Sequence, residues 1–177
     1  MTVGPTPDWV AAYSRGVVTG RNPSFYFDFP AQDGVHYITM AAPALSQGQR
    51  ITLKFRLEGS GTVKPVQGTN PYITLYFQRK GDNLSAVGEL QQYRYFSHTH
   101  LLLNQMGEFE ISEELAPAAW GDARGAGGDQ FPDRFKAAID NVSVVGFVFG
   151  DPGAGATGHG CYATGPVRFT LLDYRVS

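Results

Sequence analysis

Apolar and polar residues alternate along several stretches of this chain with a period of two. Between Arg50 and Leu57 every second residue is apolar, and the residues between them are polar. Because a β-strand sends successive side chains to opposite faces, this alternation predicts strands with one face on a core and the other in water. The residues expected in that core are Ile51, Leu53, Phe55, Ile73, Leu75, Phe77, Phe147, Phe149 and Phe169.

Turn-forming residues separate the alternating stretches and predict where the strands end. Strands are predicted at 25–29, 35–40, 50–57, 72–79, 142–149 and 167–176, with weaker candidates at 92–97, 100–103 and 107–112. In the last strand, strict alternation would send apolar residues to both faces. A β-bulge near Leu171 and Leu172 would bring them to one face, and burial of both faces would also explain them. Without a βαβ rhythm, these strands predict an all-β fold, an antiparallel jelly-roll β-sandwich.

One short helix is predicted at about 132–140. Pro132 suits a first helical position, and Asp133 complements the positive end of the helix dipole. Asn141 can end the helix. The apolar residues that repeat at helical spacing are Phe131, Phe135 and Ile139.

Composition fits a single domain. A chain of 177 residues that is 42% hydrophobic can build a sizeable core. We divide it into an irregular N-terminal arm, residues 1–24, and one β-sandwich domain, residues 25–177. The net charge of -2 gives no basic footprint, so nucleic acid is not an expected partner. The single Cys161 cannot form an internal disulfide, and we predict an inert thiol.

The chain shows no targeting or membrane signal. No apolar run approaches the roughly 18 residues of a membrane span, so no membrane association is expected. The N-terminus has neither a basic start nor an apolar signal core. The chain is therefore either not exported through a cleavable signal or has already lost one.

Two motifs could carry chemistry but lack the partners that it needs. The glycine-dense loop at 150–160 has no P-loop lysine and no following helix, so we predict a wide inter-strand loop anchored by hydrogen bonds of His159. His98 and His100 lie on one face of a predicted strand and could share a metal. Two ligands do not make a zinc site, however.

Carboxylates could serve glycoside hydrolysis, which needs two of them facing each other across the scissile bond. The obvious pairs are Glu108 with Glu110 and Glu113 with Glu114. Neither pair has the apolar setting that would raise one pKa and leave the other low. We therefore predict no catalytic residue.

Four tyrosines are the candidate glycan-binding residues. Tyr72 and Tyr76 share the polar phase of one strand, while Tyr93 and Tyr95 lie together on another. Aromatic rings on an outer sheet face can stack on sugar rings. The alternative is packing, since tyrosine favours strands and tolerates a half-buried position.

The C-terminal third contains a recognisable series of motifs. The series runs Trp120-Gly, Phe135-Lys-Ala-Ala, Val142-Ser-Val-Val-Gly-Phe-Val-Phe-Gly150, Gly158-His-Gly160 and Gly165-Pro-Val-Arg-Phe-Thr-Leu-Leu-Asp-Tyr-Arg-Val176. It resembles galactose-binding-like jelly rolls of the carbohydrate-binding-module type, including uncharacterised versions encoded by bacteria and their phages. The resemblance covers roughly residues 115–177.

A structural calcium ion is the one cofactor considered. Asp28 in the opening strand and Asp173 in the closing strand could tie the two ends of a jelly roll together through such an ion. The resemblance also implies a calcium ligand at Asp173, because related calcium-bearing modules use an aspartate in the final strand.

These observations predict a non-catalytic protein that acts by binding. The main interpretation is an accessory component of a phage particle, a virion protein whose partners are other subunits. Its docking arm would be Pro5, Pro7 and Trp9, with Trp9 as anchor. The alternative is a carbohydrate-binding module of a secreted, extracellular protein. A polysaccharide lyase or glycoside hydrolase is a distant third.

Overall fold

The computed structural model of the chain describes residues 9–14, 17, 19–20 and 25–177. Its helix α1 spans Pro132–Asp140, and short 3₁₀ turns lie at Gly88–Gln92, Pro117–Ala119 and Pro152–Ala154. The strands in the described residues are β1 (Val10–Ala12), β2 (Thr19–Gly20), β3 (Tyr26–Asp28), β4 (Tyr37–Ala41), β5 (Arg50–Gly59), β6 (Thr62–Pro65), β7 (Tyr72–Arg79), β8 (Arg94–Leu102), β9 (Gly107–Glu114), β10 (Trp120–Asp122), β11 (Val142–Gly150), β12 (Cys161–Thr164) and β13 (Val167–Val176).

Two antiparallel sheets pack face to face, which confirms the predicted jelly-roll β-sandwich. The six-stranded sheet has the order β1-β4-β11-β7-β8-β10, and the five-stranded sheet has the order β2-β3-β13-β5-β9. A small ribbon of β12 and β6 lies beside them. Strands β6, β10 and β12 were not predicted, since each spans only three or four residues.

The predicted core is confirmed. All nine apolar residues expected there are buried between the sheets. Phe169 of β13 is central, because its ring stacks on Phe27 and on Phe55 with centroids 5.0 Å apart in each case. It also contacts Phe147 of the opposite sheet at 5.2 Å. Period-2 alternation thus brings aromatic side chains from both sheets into one cluster.

The bulge predicted near the end of the last strand is present. The register of β13 against β5 shifts between Leu171 and Asp173. This extra residue lets Leu171 and Tyr174 both face the core, where both are fully buried.

Helix α1 begins and ends as predicted, with Pro132 in its first turn and Asn141 as its C-cap. Its buried face differs by one residue from the predicted one. Phe131 is 41% exposed beneath the Arg134 guanidinium, whereas Ala138 is buried together with Phe135. Phe131 lies before the first helical turn, so the helical spacing does not extend to it. None of the helices in the described residues is long and apolar enough to cross a membrane.

Part of the predicted N-terminal arm belongs to the sandwich. Strand β1 pairs with β4 at one edge of the six-stranded sheet, and β2 pairs with β3 at an edge of the five-stranded sheet. Trp9 is fully buried, and its ring lies 5.0 Å from that of Tyr174. The assignment of Trp9 to a docking arm is therefore wrong, because an indole inside its own core cannot anchor a partner. Pro5 and Pro7 lie outside the described residues.

Candidate functional site

A groove crosses the outer face of the six-stranded sheet. It consists of two adjoining cavities of about 400 Å³ and about 440 Å³, which share lining residues. Three loops wall it, at 80–87, 122–125 and 150–160. The shared lining residues are Phe96, Ala123, Thr157 and His159. Clefts of several hundred Å³ are the usual size of ligand sites, so this groove is the candidate functional site.

The floor of the groove is shaped by a bulge in β8. Thr74 of β7 pairs with His100 of β8, and Tyr76 pairs with Phe96. One residue of β7 therefore lies opposite three residues of β8, so β8 contains two extra residues here. The buried Ser97 hydroxyl accepts the Leu75 N–H at 3.2 Å and thereby takes the place of a backbone carbonyl in the ladder. A bulge of this kind redirects the neighbouring side chains.

The bulge places His98 and His100 in the same cavity, where both are exposed. Nδ1 of His98 donates to the Ala118 carbonyl at 3.0 Å, which leaves Nε2 beside Gly121. The His100 ring lies edge-to-face against Tyr72 at 4.6 Å. Among the described residues, no group of three or more His, Cys, Asp or Glu could hold a metal ion.

A buried ion pair lies under the loop at 80–87. Arg94 Nε is 3.1 Å from Asp82 Oδ2, and the two side chains are 5% and 0% exposed. Arg94 also donates to the Tyr37 hydroxyl at 3.1 Å, and Asp82 accepts the Leu84 N–H at 2.9 Å. Arg94 Nε and Asp82 Oδ2 themselves form no hydrogen bond, so these additional bonds are what makes the buried pair tolerable. These bonds therefore fix the loop to the floor of the groove.

Burial further favours the neutral form of Tyr37, the tyrosine beside this pair. It raises the pKa of Tyr37 above the ordinary value of 10.0, although the Arg94 guanidinium opposes the shift. Tyr37 is therefore a neutral phenol across the physiological range. As a neutral phenol it accepts the Arg94 hydrogen bond.

The glycine-rich loop at 150–160 forms the opposite wall. It is a wide inter-strand loop, as predicted, with glycines at positive φ. At Gly158 (φ 78°) a Cβ would lie 2.4 Å from the Tyr37 hydroxyl, so only glycine permits this close approach. The anchor, however, is His36 and not His159. Nδ1 of His36 lies 3.1 Å from the Gly158 carbonyl oxygen and Nε2 lies 2.9 Å from the Asp33 carbonyl oxygen, and a neutral imidazole donates to one of the two, whereas the His159 ring is exposed.

Asp151 holds the start of the same loop. Its Oδ2 accepts the backbone N–H groups of Thr69 at 2.7 Å and Asn70 at 2.9 Å, and its Oδ1 accepts that of Gly153 at 3.0 Å. These bonds, with that of Asn70 the largest, lower the pKa of Asp151 below the ordinary value of 3.8. The carboxylate thus joins the segment at 67–70 to the loop at 150–160.

Strained backbone concentrates along one end of the groove. Tyr13, Leu84 and Ala86 have φ of 58°, 66° and 51°, and all three line the smaller cavity. Non-glycine residues in this region cost of order 1–3 kcal/mol each and cluster at ligand-binding sites. Tyr13 is also 65% exposed, so its ring is available to a ligand.

Sequence reasoning missed this groove because its walls come from distant loops. One signal was present. The chain has four histidines, and all of them line the groove: His36, His98, His100 and His159. Period-2 alternation locates strands, but it does not report which loops meet above a sheet.

The predicted tyrosine platform is not formed. Tyr76 lies on the outer face, as its phase predicted, but it is fully buried beneath Tyr37 at 5.2 Å and the loop at 80–87. Tyr95 faces the core and stacks on Phe77 at 5.3 Å. Burial raises the pKa of Tyr95 to about 12. Neither ring can meet a sugar, so packing explains both.

The other two predicted tyrosines are half-buried and lie apart. Tyr72 contacts His100 next to the groove. Tyr93 lies under the Arg79 guanidinium at 4.4 Å. Of the four predicted glycan-binding residues, Tyr72 is thus a half-buried one that contacts a residue of the groove, whereas Tyr76 lies fully buried beneath the groove residue Tyr37.

The predicted calcium ligands are engaged elsewhere and lie apart. Asp28 takes two hydrogen bonds from Arg168, at 2.8 Å and 3.0 Å, and this lowers the pKa of the carboxyl. Asp173 pairs with Arg175 at 3.2 Å. Asp28 lies opposite Arg168 in the ladder between β3 and β13. Arg168 and Asp173 are five residues apart on β13, which is about 16 Å at about 3.3 Å per residue. The two carboxylates cannot share one ion.

The remaining sequence candidates lie outside the groove. Glu108, Glu110, Glu113 and Glu114 are on β9 of the five-stranded sheet. Arg56 pairs with Glu108 at 2.6 Å, as expected on a solvated strand face. Cys161 is fully buried, and burial raises its pKa to about 12, in agreement with the predicted inert thiol.

Comparison with known proteins gives a structural match alone. No protein-family model matches the sequence, and no curated protein matches it. Among solved structures, the fold is similar to a "xylan-binding module CBM15", with a TM-score of 0.50 over 97% of this chain and 95% of that chain. The fold is that of a carbohydrate-binding-module-type jelly roll. Sequence identity is 12%, so the likeness concerns the fold and not the binding residues.

Proposed function

We propose that this protein binds a polysaccharide chain in the groove of the six-stranded sheet and does not cleave it. The single observation that carries the proposal is the groove itself, two adjoining cavities of about 400 Å³ and 440 Å³ on the outer face of a sandwich sheet. Two cavities that share a boundary can take successive sugar units of one chain. The similar solved fold is named for xylan binding, which supports this reading.

The lining of the groove suits carbohydrate. Tyr13 and Phe96 offer aromatic surface to sugar rings, while exposed histidines offer hydrogen bonds to hydroxyl groups. The loops are held by buried charged groups and by His36, so the groove exists before a ligand arrives. Such preorganisation reduces the entropy lost on binding.

A non-catalytic role is favoured by the carboxylates. The described residues that line the groove include one carboxylate, that of Asp122. Its Oδ1 accepts the backbone N–H groups of Arg124 and Ala126 at 2.9 Å and 3.0 Å. Glycoside hydrolysis by the usual route needs a second carboxylate across the bond. Binding without turnover is the function that this chemistry supports.

Polysaccharide binding was the alternative interpretation of the sequence, after the phage-particle accessory. The accessory interpretation placed its docking arm at Pro5, Pro7 and Trp9, and Trp9 is buried in the sandwich. We therefore favour the module that binds carbohydrate, with an extracellular site of action where polymers of this kind occur.

The test is binding to a panel of soluble polysaccharides by affinity electrophoresis and calorimetry. The panel contains xylan, glucomannan, mixed-linkage glucan, galactan, glucuronoxylan, polygalacturonate and alginate. Tyr13→Ala should weaken the best affinity about 5- to 10-fold, as expected for one aromatic contact of about 1–1.4 kcal/mol. Tyr26→Ala is the matched control, because Tyr26 is a partly exposed aromatic on the five-stranded sheet.

Two results would reject the proposal. One is a panel in which no polymer is bound or retarded. The other is equal loss of affinity in Tyr13→Ala and Tyr26→Ala, because the ligand would then not lie in the groove. Release of reducing ends from a bound polymer would overturn the non-catalytic part alone.

A further inference from the structure

Arg124 stands at the rim of the groove in a defined orientation. It belongs to the loop at 122–125, is exposed and lines the larger cavity. Its Nε and Nη2 donate to the Ala86 carbonyl on the facing wall, at 3.3 Å and 3.1 Å. These two bonds join the two walls and fix the position of the guanidinium.

The carbonyl that holds Arg124 is itself in a strained segment. Ala86 has φ of 51°, and Leu84 two residues before it has φ of 66°. The Asp82 side chain holds this segment through the Leu84 N–H and the Arg94 guanidinium. The side chain of Arg124 is therefore held by a chain of bonds that leads to a buried ion pair.

The charge of Arg124 is not compensated within the described part of the chain. The guanidinium forms no ion pair there, and its Nη1 amino group donates to no residue of that part. Asp122 is close in sequence, but it is 5% exposed and turns Oδ1 to the backbone N–H groups of its own turn. A ligand that enters the groove meets the guanidinium before it meets this carboxylate.

Arginines on the opposite face of the molecule show the contrast. Arg56 donates to Glu108 through Nε and Nη2, and Arg168 donates to both oxygens of Asp28. Their guanidinium edges are thus already occupied by carboxylates of this chain. The Nε–Nη2 edge of Arg124 holds a neutral carbonyl instead, and its Nη1 end, which donates to no described residue, is left for a ligand of the cavity that Arg124 lines.

We propose that the groove selects polysaccharides that carry carboxylate groups, and that Arg124 binds the carboxylate of a uronic acid unit. This inference rests on the proposed function and names the ligand class of the same site. A planar guanidinium fits a carboxylate bidentately, and a charge-assisted pair of this kind is about twice as strong as a neutral hydrogen bond. The rings of His98, His100 and His159 in the same cavity bond hydroxyl groups of that unit and its neighbours.

The experiment compares each acidic polysaccharide with the same polymer after chemical reduction of its carboxyl groups to alcohols. Glucuronoxylan, polygalacturonate and alginate serve as the acidic probes. The intact protein should bind the preferred acidic polymer about tenfold more tightly than the reduced form, since one good charged contact contributes about that factor. Arg124→Gln should bring this ratio close to one. Arg124→Lys keeps the positive charge but loses the two parallel N–H groups of the guanidinium, so its ratio should lie between those of the intact protein and Arg124→Gln.

Arg168→Gln is the matched control and should leave the ratio unchanged, because its guanidinium lies outside the groove. Melting temperatures of all variants check that the walls remain folded. Equal affinity for intact and reduced polymers overturns the inference and leaves the proposed function standing. A ratio unchanged in Arg124→Gln also overturns it. Failure to bind any polymer rejects the proposed function itself.

Discussion

Asp151 shows how a single buried carboxylate organises a wall of the groove. It is 4% exposed and bonds backbone N–H groups of two separate segments. A carboxylate satisfied in this way has a lowered pKa, because the bonds favour its charged form. Its contribution to stability is therefore present above the pKa of the unfolded chain and is lost as the pH falls through the lower folded value.

Asp151→Asn should therefore destabilise the protein at pH 7, by about 1.5–3 kcal/mol for hydrogen bonds to a charged group. The difference from the unmodified protein should shrink once the pH falls below about 3.9, where the carboxyl of the unfolded chain takes up a proton, and should vanish below the lower pKa of the folded carboxyl. Urea unfolding at pH 7, 5 and 3 measures this. Asp129→Asn, at an exposed position, is the control. A destabilisation that stays constant over this pH range would show that the charge of Asp151 is not the cause.

Residue chemistry also explains which site predictions failed. The phase of Tyr76 on β7 was correct, but the sequence does not reveal that the loop at 80–87 folds back over it. Tyr95 points into the core, where its ring contacts Phe77 and Phe135. Whether an outward-facing ring is exposed depends on contacts between residues far apart in sequence, and periodicity carries no information about them.

At the scale of the elements, the ring of His36 holds the far end of the loop at 150–160, whose start is held by Asp151. The His36 ring lies between the carbonyl oxygens of Gly158 and Asp33 and ties the loop to the start of β4. Within the loop, the Gly160 N–H donates to the Phe149 carbonyl at 2.9 Å. Loss of the His36 ring would free the loop to open without disturbing the sandwich below it.

His36→Ala should accelerate hydrogen exchange of the Gly160 amide about 5- to 10-fold, as expected for the loss of roughly 1–1.4 kcal/mol of local stability. Exchange of amides in β5 and β13 should not change. His159→Ala removes an exposed ring from the same loop and serves as the control. Unchanged protection at Gly160 in His36→Ala would mean that the glycine backbone alone holds the wall.

The elements that the sequence did predict are those with a strong repeated signal. Strand β7 was predicted at 72–79 and is observed there, and helix α1 agrees at both ends. The segment at 92–103 was predicted as two weak strands, but Ser97 and its bulge join them into β8. A side-chain hydroxyl that replaces a ladder carbonyl leaves no trace in the hydrophobic pattern.

At the scale of the whole molecule, stability depends on one aromatic cluster shared by both sheets. Phe169 contacts Phe27 and Phe55 of its own sheet, and Phe147 and Phe149 of the other. A cavity at this point would weaken both layers together. Apolar periodicity was sufficient to predict this core, because each strand contributes its inward residues independently of the loops.

Phe169→Ala should lower the free energy of unfolding by about 3–5 kcal/mol, the usual cost of removing a buried phenylalanine. Chemical denaturation followed by tryptophan fluorescence measures it, since Trp9 and Trp120 are both buried. Val87→Ala is the control, because Val87 is 66% exposed and its truncation should change stability by less than about 0.5 kcal/mol. A cost below about 1 kcal/mol for Phe169→Ala would contradict the central place given to this ring.

The strands at the borders of the two sheets decide whether copies of the molecule pair with each other at high local concentration. The border strands β1, β10 and β2 span only three, three and two residues. The longer border strand β9 carries glutamates, and its outward hydrogen-bonding edge would meet the same charges on another copy. Short or like-charged borders discourage strands of neighbouring molecules from pairing. Copies that bind one polysaccharide by the proposed function can therefore lie side by side along it without joining into a continuous sheet.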